Sequence, residues 1–220
     1  MVTWSIWKAC NEVVWQQKSP TAASVVLSAR SFLDQFRFAQ SRTTSSLSNS
    51  SIGLSSRVHW TIPISDRIKV NVDGALFNDV SRFGMGCLAR NHAGQVLEAF
   101  TSSEEGIVRP EIVEIIGIKE ALSWIRRHNW QNVLLETDSL VCVQAIQSEL
   151  YMPSEFGLLV NDCRIALSSL SHVAIQFVER SVNKAVHCLA RSSYFSPDRT
   201  FQNYQLSPEL RNIVLVDFTG

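Results

Sequence analysis

Three carboxylates of the 220-residue chain stand where segments end or turn. Asp73, in IKVNVDGALF, separates a run of strand-forming residues from a glycine. Asp138 closes the short apolar run of LLETDS, and Glu114 lies in PEIVEIIGIKEAL, four residues before Ile118, on the border of an apolar helical face. If the segments carrying them are neighbours, the three acids converge. Carboxylates held close repel one another, and a divalent cation relieves that cost. An all-oxygen donor set suits magnesium or manganese rather than zinc. Taken singly, each acid has a plainer role. Asp73 is the acid of an Asp-Gly turn, Asp138 with Ser139 is a helix N-cap, and Glu114 is a helix-start charge favoured by the macrodipole.

The segments that must position them are legible from periodicity. In DRIKVNVD, Ile68, Val70 and Val72 alternate with Lys69, Asn71 and Asp73, which predicts a strand with one buried face and Asp73 on the other. FGMGCLARNHAGQVLEAFTS predicts two further strands joined at His92-Ala93-Gly94, completing an antiparallel meander. A helix follows, opened by Pro110 and carrying Ile115, Ile118, Leu122 and Ile125 at helical spacing. Then come a short strand NVLLETD, a helix SLVCVQAIQS, a helix PSEFGLLVNDCRIALSSL, a strand HVAIQFVE and a helix NKAVHCLARSSY. This β-β-β-α-β-α-α-β-α order implies an α/β fold, a mixed sheet covered by helices. Gly84 and Gly86 fall inside a strand rather than between strand and helix. They are therefore read as sites of close backbone approach, by packing or by a nucleic-acid strand, and not as a phosphate fingerprint.

Domain organisation is read as a helical segment over 1–40, a serine-rich linker over 41–59, one folded domain over 60–195 and a tail over 196–220. Trp4, Trp7 and Trp15 form a packing stripe in the first segment. Residues 1–61 hold six Lys/Arg against two Asp/Glu, whereas 62–195 hold 12 against 15. An acidic domain is a poor general binder of phosphate backbones unless cations or a basic patch intervene. Five scattered cysteines, odd in number and without a C-x-x-C pair, argue against a zinc site and a disulfide framework. No apolar run nears the roughly 20 residues of a membrane span, and the N-terminus has no secretory pattern. A monomer in the nucleus or cytoplasm is expected, with no membrane partner.

KVNVDGALF, FGMGCLARNHAGQV, EIIGIKEAL, LLETDSLVCVQAI and NKAVHCLAR, in this order, resemble the ribonuclease H-like domain of plant proteins related to the ribonuclease H region of non-LTR retrotransposons. The resemblance covers about residues 60–195. Upstream, WSIWKACNEVVW is similar to a segment often preceding that domain, with Cys10 where arginine is usual.

The resemblance implies a ribonuclease H-like fold with a mixed five-stranded sheet and an acidic tetrad. It places the first three acids at Asp73, Glu114 and Asp138, with Glu111 the competing choice for the second. The fourth falls at His187, where the broader family has aspartate. It further implies two Mg2+ or Mn2+ ions about 3.5–4 Å apart, one activating water and one steadying the leaving oxygen. Asp73 would bridge them, Glu114 and Asp138 would serve the leaving-group side, and His187 the water side. The implied activity is that of a hydrolase, an endonuclease cutting the RNA strand of RNA/DNA hybrids through duplex shape and 2′-hydroxyls. Imidazole supplies no negative charge and favours softer ions, so weakened use of magnesium is expected. The alternative is a nucleic-acid-binding module of retroelement origin that has lost efficient cleavage.

Overall fold

The computed structural model describes residues 6, 9, 10, 13, 21–26, 60–64, 66–202 and 205–219. The chain divides into two compact units, Met1–Ser55 and Ser56–Gly220. In the first, the described residues 22–26 are helical. The serine-rich linker and the tryptophan stripe lie outside the described residues.

In the second unit, β1 (Ile68–Phe77), β2 (Arg82–Arg90) and β3 (Val96–Glu105) form the antiparallel meander. Helix α1 (Pro110–His128) leads to β4 (Val133–Thr137), and α2 (Leu140–Gln147) and α3 (Glu155–Ser169) lead to β5 (Val173–Phe177). Helix α4 (Lys184–Ser192) follows. β4 runs parallel to both β1 and β5, so the sheet is mixed. Every element expected over residues 60–195 is present in the expected order.

The sheet has six strands, not five, in the order β5-β4-β1-β2-β3-β6. Residues read as a tail supply β6 (Arg199–Phe201), antiparallel to β3, and α5 (Pro208–Thr219). Three residues are too short for a period-two signal, which is why RTF escapes a reading by alternation.

One sheet face carries the main core. Val70, Val72, Cys87, Ala89, Val133 and Leu135 pack against α1, where Ile115, Ile118 and Ile125 are fully buried, and against α3 through Val160 and Cys163. The opposite face takes α4 and α5, through Leu88, Ala99, Ala185, Leu189, Leu210 and Val214. This second layer corrects the expectation that β1 buries one face. Lys69, Asn71 and Asp73 are also buried, at 4%, 1% and 3% exposure. Their polarity marks the partners they meet rather than exposure to water. All five cysteines are unpaired. Among the described residues no helix is long and apolar enough to cross a membrane.

Gly86 of β2 seats α4. A Cβ there would lie 2.6 Å from the backbone nitrogen of Ala190, so packing accounts for this strand glycine. Since backbone cannot yield as a flexible side chain does, Gly86→Ala is expected to destabilise the domain by about 1–3 kcal/mol. Urea denaturation checks this, and an unchanged midpoint would show that α4 is not held so closely.

Candidate active site

Asp73 does not end its strand, since β1 continues to Phe77 against β2. What ends there is the pairing with β4, whose last matched pair is Val72 with Thr137. Asp73 and Asp138 are thus the next residues along two adjacent parallel strands, just where the strands part. Asp138 is free of capping duty because Ser139 performs it, its Oγ accepting from the Cys142 backbone N–H at 3.4 Å.

Glu114 arrives from α1, which begins with Pro110 in its first turn. Gly74 lets this helix close on β1: a Cβ there would stand 2.8 Å from Val113 Cγ1. Val113, the residue preceding Glu114, therefore fills the space that a side chain at Gly74 would need. Glu111 is turned elsewhere, in an ion pair with Arg109 at 3.0 Å.

Carboxylate oxygens of Asp73, Glu114 and Asp138 lie within 4.8 Å of one another. This is the convergence expected from the sequence. Burial, followed by the charges of Asp73 and Asp138, pushes the Glu114 carboxyl up to about 9. Asp73 is also raised, first by burial and then by Asp138, with His187 opposing. The Oε2 atom of Glu114 is buried and has no hydrogen-bond partner among the described residues. Clustered carboxylate oxygens, buried at Asp73 and partly buried at Glu114 and Asp138, with an orphaned acceptor, fit a hard divalent cation, which would satisfy all three groups at once.

His187, in the first turns of α4, lies with Nδ1 2.6 Å from Asp73 Oδ2. It touches the cluster through Asp73. With the Nδ1 proton donated to Asp73, Nε2 presents its lone pair, and Arg180 NH2 lies 3.2 Å away as a donor. Arg180 stands at the edge of the site. The other arginine between Asp138 and Asn183 is Arg164, and it is spent on structure, donating to the carbonyls of Ala145, Ile146 and Leu150.

Behind the acids lies a buried polar group that the sequence reading did not single out. Asn183 Nδ2 donates to Asp138 Oδ1 at 3.1 Å and to the Val72 carbonyl at 3.0 Å. Glu136, 1% exposed, is neutralised by Lys69 at 3.0 Å and accepts from Asn71 and Gln176. The alternation that puts Lys69 and Asn71 on the face of Asp73 was the available signal. Asn183, distant in sequence, gave none.

A mixed sheet of this order, with helices on both faces and three acids where β1 and β4 part, defines a ribonuclease H-like domain. The chain matches the family described as reverse transcriptase-like over residues 71–193, more than half its length, and belongs to that family. Among solved structures it is similar to ribonuclease H1 from the halophilic archaeon Halobacterium salinarum, at 16% identity and TM-score 0.54, covering 59% of this chain and 98% of that one. It is also similar to LC11-RNase H1, isolated from compost, at 14% identity and TM-score 0.53, covering 60% and 97%. The same enzyme in complex with an RNA/DNA hybrid matches at 14% identity and TM-score 0.51, covering 57% and 94%. At these identities the likeness shows the fold. No match to a curated protein was found.

Proposed function

We propose that this protein is a metal-dependent endonuclease that cleaves the RNA strand of RNA/DNA hybrids. The observation that carries this reading is the gathering of Asp73, Glu114 and Asp138 by three separate segments, with the buried Glu114 Oε2 lacking a partner among the described residues. These three carboxylates, with His187 beside Asp73, would hold two Mg2+ or Mn2+ ions. When bound, the ions supply an activated water and charge neutralisation at the leaving oxygen.

The chain's own residues do the rest. β1 holds Asp73, the end of β4 places Asp138 one residue beyond the sheet, and α1 brings the third carboxylate. With Nδ1–H donated to Asp73 Oδ2, His187 would limit the rotation of that carboxylate. Arg180 offers a cation at the edge of the site, where a phosphate backbone would approach. Recognition of a hybrid through duplex shape and 2′-hydroxyls, as the family resemblance implies, would make cleavage independent of base sequence.

Asp73 already spends one oxygen on His187, and His187 brings no negative charge. Replacing it by Asp restores an anionic ligand. His187→Asp is therefore expected to raise the magnesium-supported rate about tenfold and to lower the ratio of manganese to magnesium rates. The test is a labelled hybrid incubated with Mg2+ or Mn2+. Metal-dependent cutting that leaves a 5′-phosphate supports the enzyme. Binding without cutting under either metal overturns it in favour of a binding module, a reading favoured by the structural use of Arg164 and the acidic domain.

A further inference from the structure

Asp138 sits on a one-residue turn between β4 and the Ser139 cap, and among the described residues the hydrogen bond to its side chain comes from Asn183. That bond is the last of a series. Arg90 NH2 donates to Asn71 Oδ1 at 3.2 Å, Asn71 Nδ2 donates to Asn183 Oδ1 at 3.1 Å, and Asn183 Nδ2 donates to Asp138 Oδ1 at 3.1 Å. Every donor in it points the same way, from a guanidinium toward a carboxylate. Such a chain polarises each member and strengthens the last bond.

The amides have no freedom to turn. Both hydrogens of Asn71 are used, on Glu136 and Asn183, and both of Asn183, on Val72 and Asp138. Asn71, Asn183 and Arg90 are each 1% exposed, so a flipped amide would leave buried groups unpaired. The backbone carbonyl of Asn183 accepts the His187 backbone N–H at 3.0 Å, which ties the start of α4 to the same residue.

At the far end, the Arg90 guanidinium is stacked 3.5 Å from the Trp60 ring and paired with Asp217 Oδ2 at 2.8 Å. Asp217 belongs to α5, on residues beyond the family match. The helix closing the second sheet face therefore supplies the counter-ion of the cation that starts the series.

We propose that Asp217, Arg90, Asn71 and Asn183 form a positioning relay that orients the Asp138 carboxylate, making the C-terminal helix a determinant of divalent-metal affinity at the acidic cluster. This rests on the cluster holding such an ion. None of the four touches the reacting atoms.

The test is calorimetric titration of the full chain with Mn2+, alongside circular dichroism and the kcat and KM for a labelled hybrid. Asn183→Ala is expected to weaken Mn2+ binding about tenfold, as loss of a partner behind a metal ligand does. Asp217→Asn, similar in shape and far from the metal, is expected to weaken it about threefold while leaving the hybrid KM unchanged, and Asp217→Glu to restore it. Folded Asp217→Asn and Asn183→Ala proteins that bind Mn2+ as the wild type does overturn the relay and leave the nuclease reading intact. Should those variants not fold, the double replacement Arg90→Met with Asp217→Leu removes both charges, and wild-type Mn2+ affinity there overturns the relay equally. A wild-type chain that binds no Mn2+ overturns both readings.

Discussion

Asp73→Asn is expected to abolish cleavage of an RNA/DNA hybrid, lowering the rate about 10³-fold or more, while the metal-free protein melts at the same temperature as the wild type or higher. The two effects have opposite sign for one reason. Asp73 is buried beside Asp138 and Glu114, so its charge costs folding free energy, and that cost holds its carboxyl above the usual carboxylate range. Asparagine keeps the shape and removes the charge. It relieves the repulsion but deletes the anionic oxygen on which any cation shared with Glu114 and Asp138 depends. The 2.6 Å contact with His187 is weakened, which offsets part of the gain. Rates with Mg2+ and Mn2+ and a thermal melt in chelator form the measurement. A variant that loses activity and also melts much lower has lost its fold. One that keeps even a tenth of the rate removes Asp73 from the chemistry.

How much of this was legible in the sequence divides along physical lines. Local periodicity carries β1 and α1, because Val70 and Val72, or Ile115 and Ile118, repeat at the spacing that their own element imposes. The three acids were legible through context: Asp73 precedes a glycine in a strand, Asp138 closes an apolar run and Glu114 borders a helical face, although β1 runs on past Asp73 to Phe77. What periodicity cannot carry is the identity of a partner far along the chain. Asn71 appears as the polar half of an alternating strand, and nothing nearby says that Asn183, Arg90 and Glu136 complete it. The apparent contradiction of a strand polar on one face yet buried on both is resolved only by α4, α5 and Trp60 closing over it. Gly84 and Gly86 read in the sequence as sites of close approach. The object approaching is the end of α4, with Ala190 against Gly86 and the capping Ser193 against Gly84.

Glu114→Gln is expected to flatten the pH dependence of stability in the metal-free protein and to stabilise it by about 2–4 kcal/mol at pH 7.5. The sign follows from where the proton is held. In the folded chain Glu114 keeps its proton to about pH 9, whereas the unfolded chain releases it near the ordinary value of 4.5. Below pH 4.5 both states are protonated and the group costs nothing. Between 4.5 and 9 the folded state holds a proton that the unfolded state has given up, so stability falls as pH rises, by about 1.4 kcal/mol per unit for this one group. Above 9 the full cost of a buried charge between Asp73 and Asp138 is in place. Glutamine has no proton to lose, and the slope between pH 5 and 9 should largely vanish. Manganese should do to the wild type what the substitution does, because a cation takes the place of the proton. Saturating Mn2+ is then expected to raise the wild-type melting temperature most at high pH and to leave Glu114→Gln nearly unmoved. Urea denaturation from pH 5 to 9 in chelator, repeated with Mn2+, separates the outcomes. A wild-type protein whose stability is level across that range would place Glu114 in contact with water and outside the acidic cluster. That would also remove the crowding of charge on which the nuclease assignment rests.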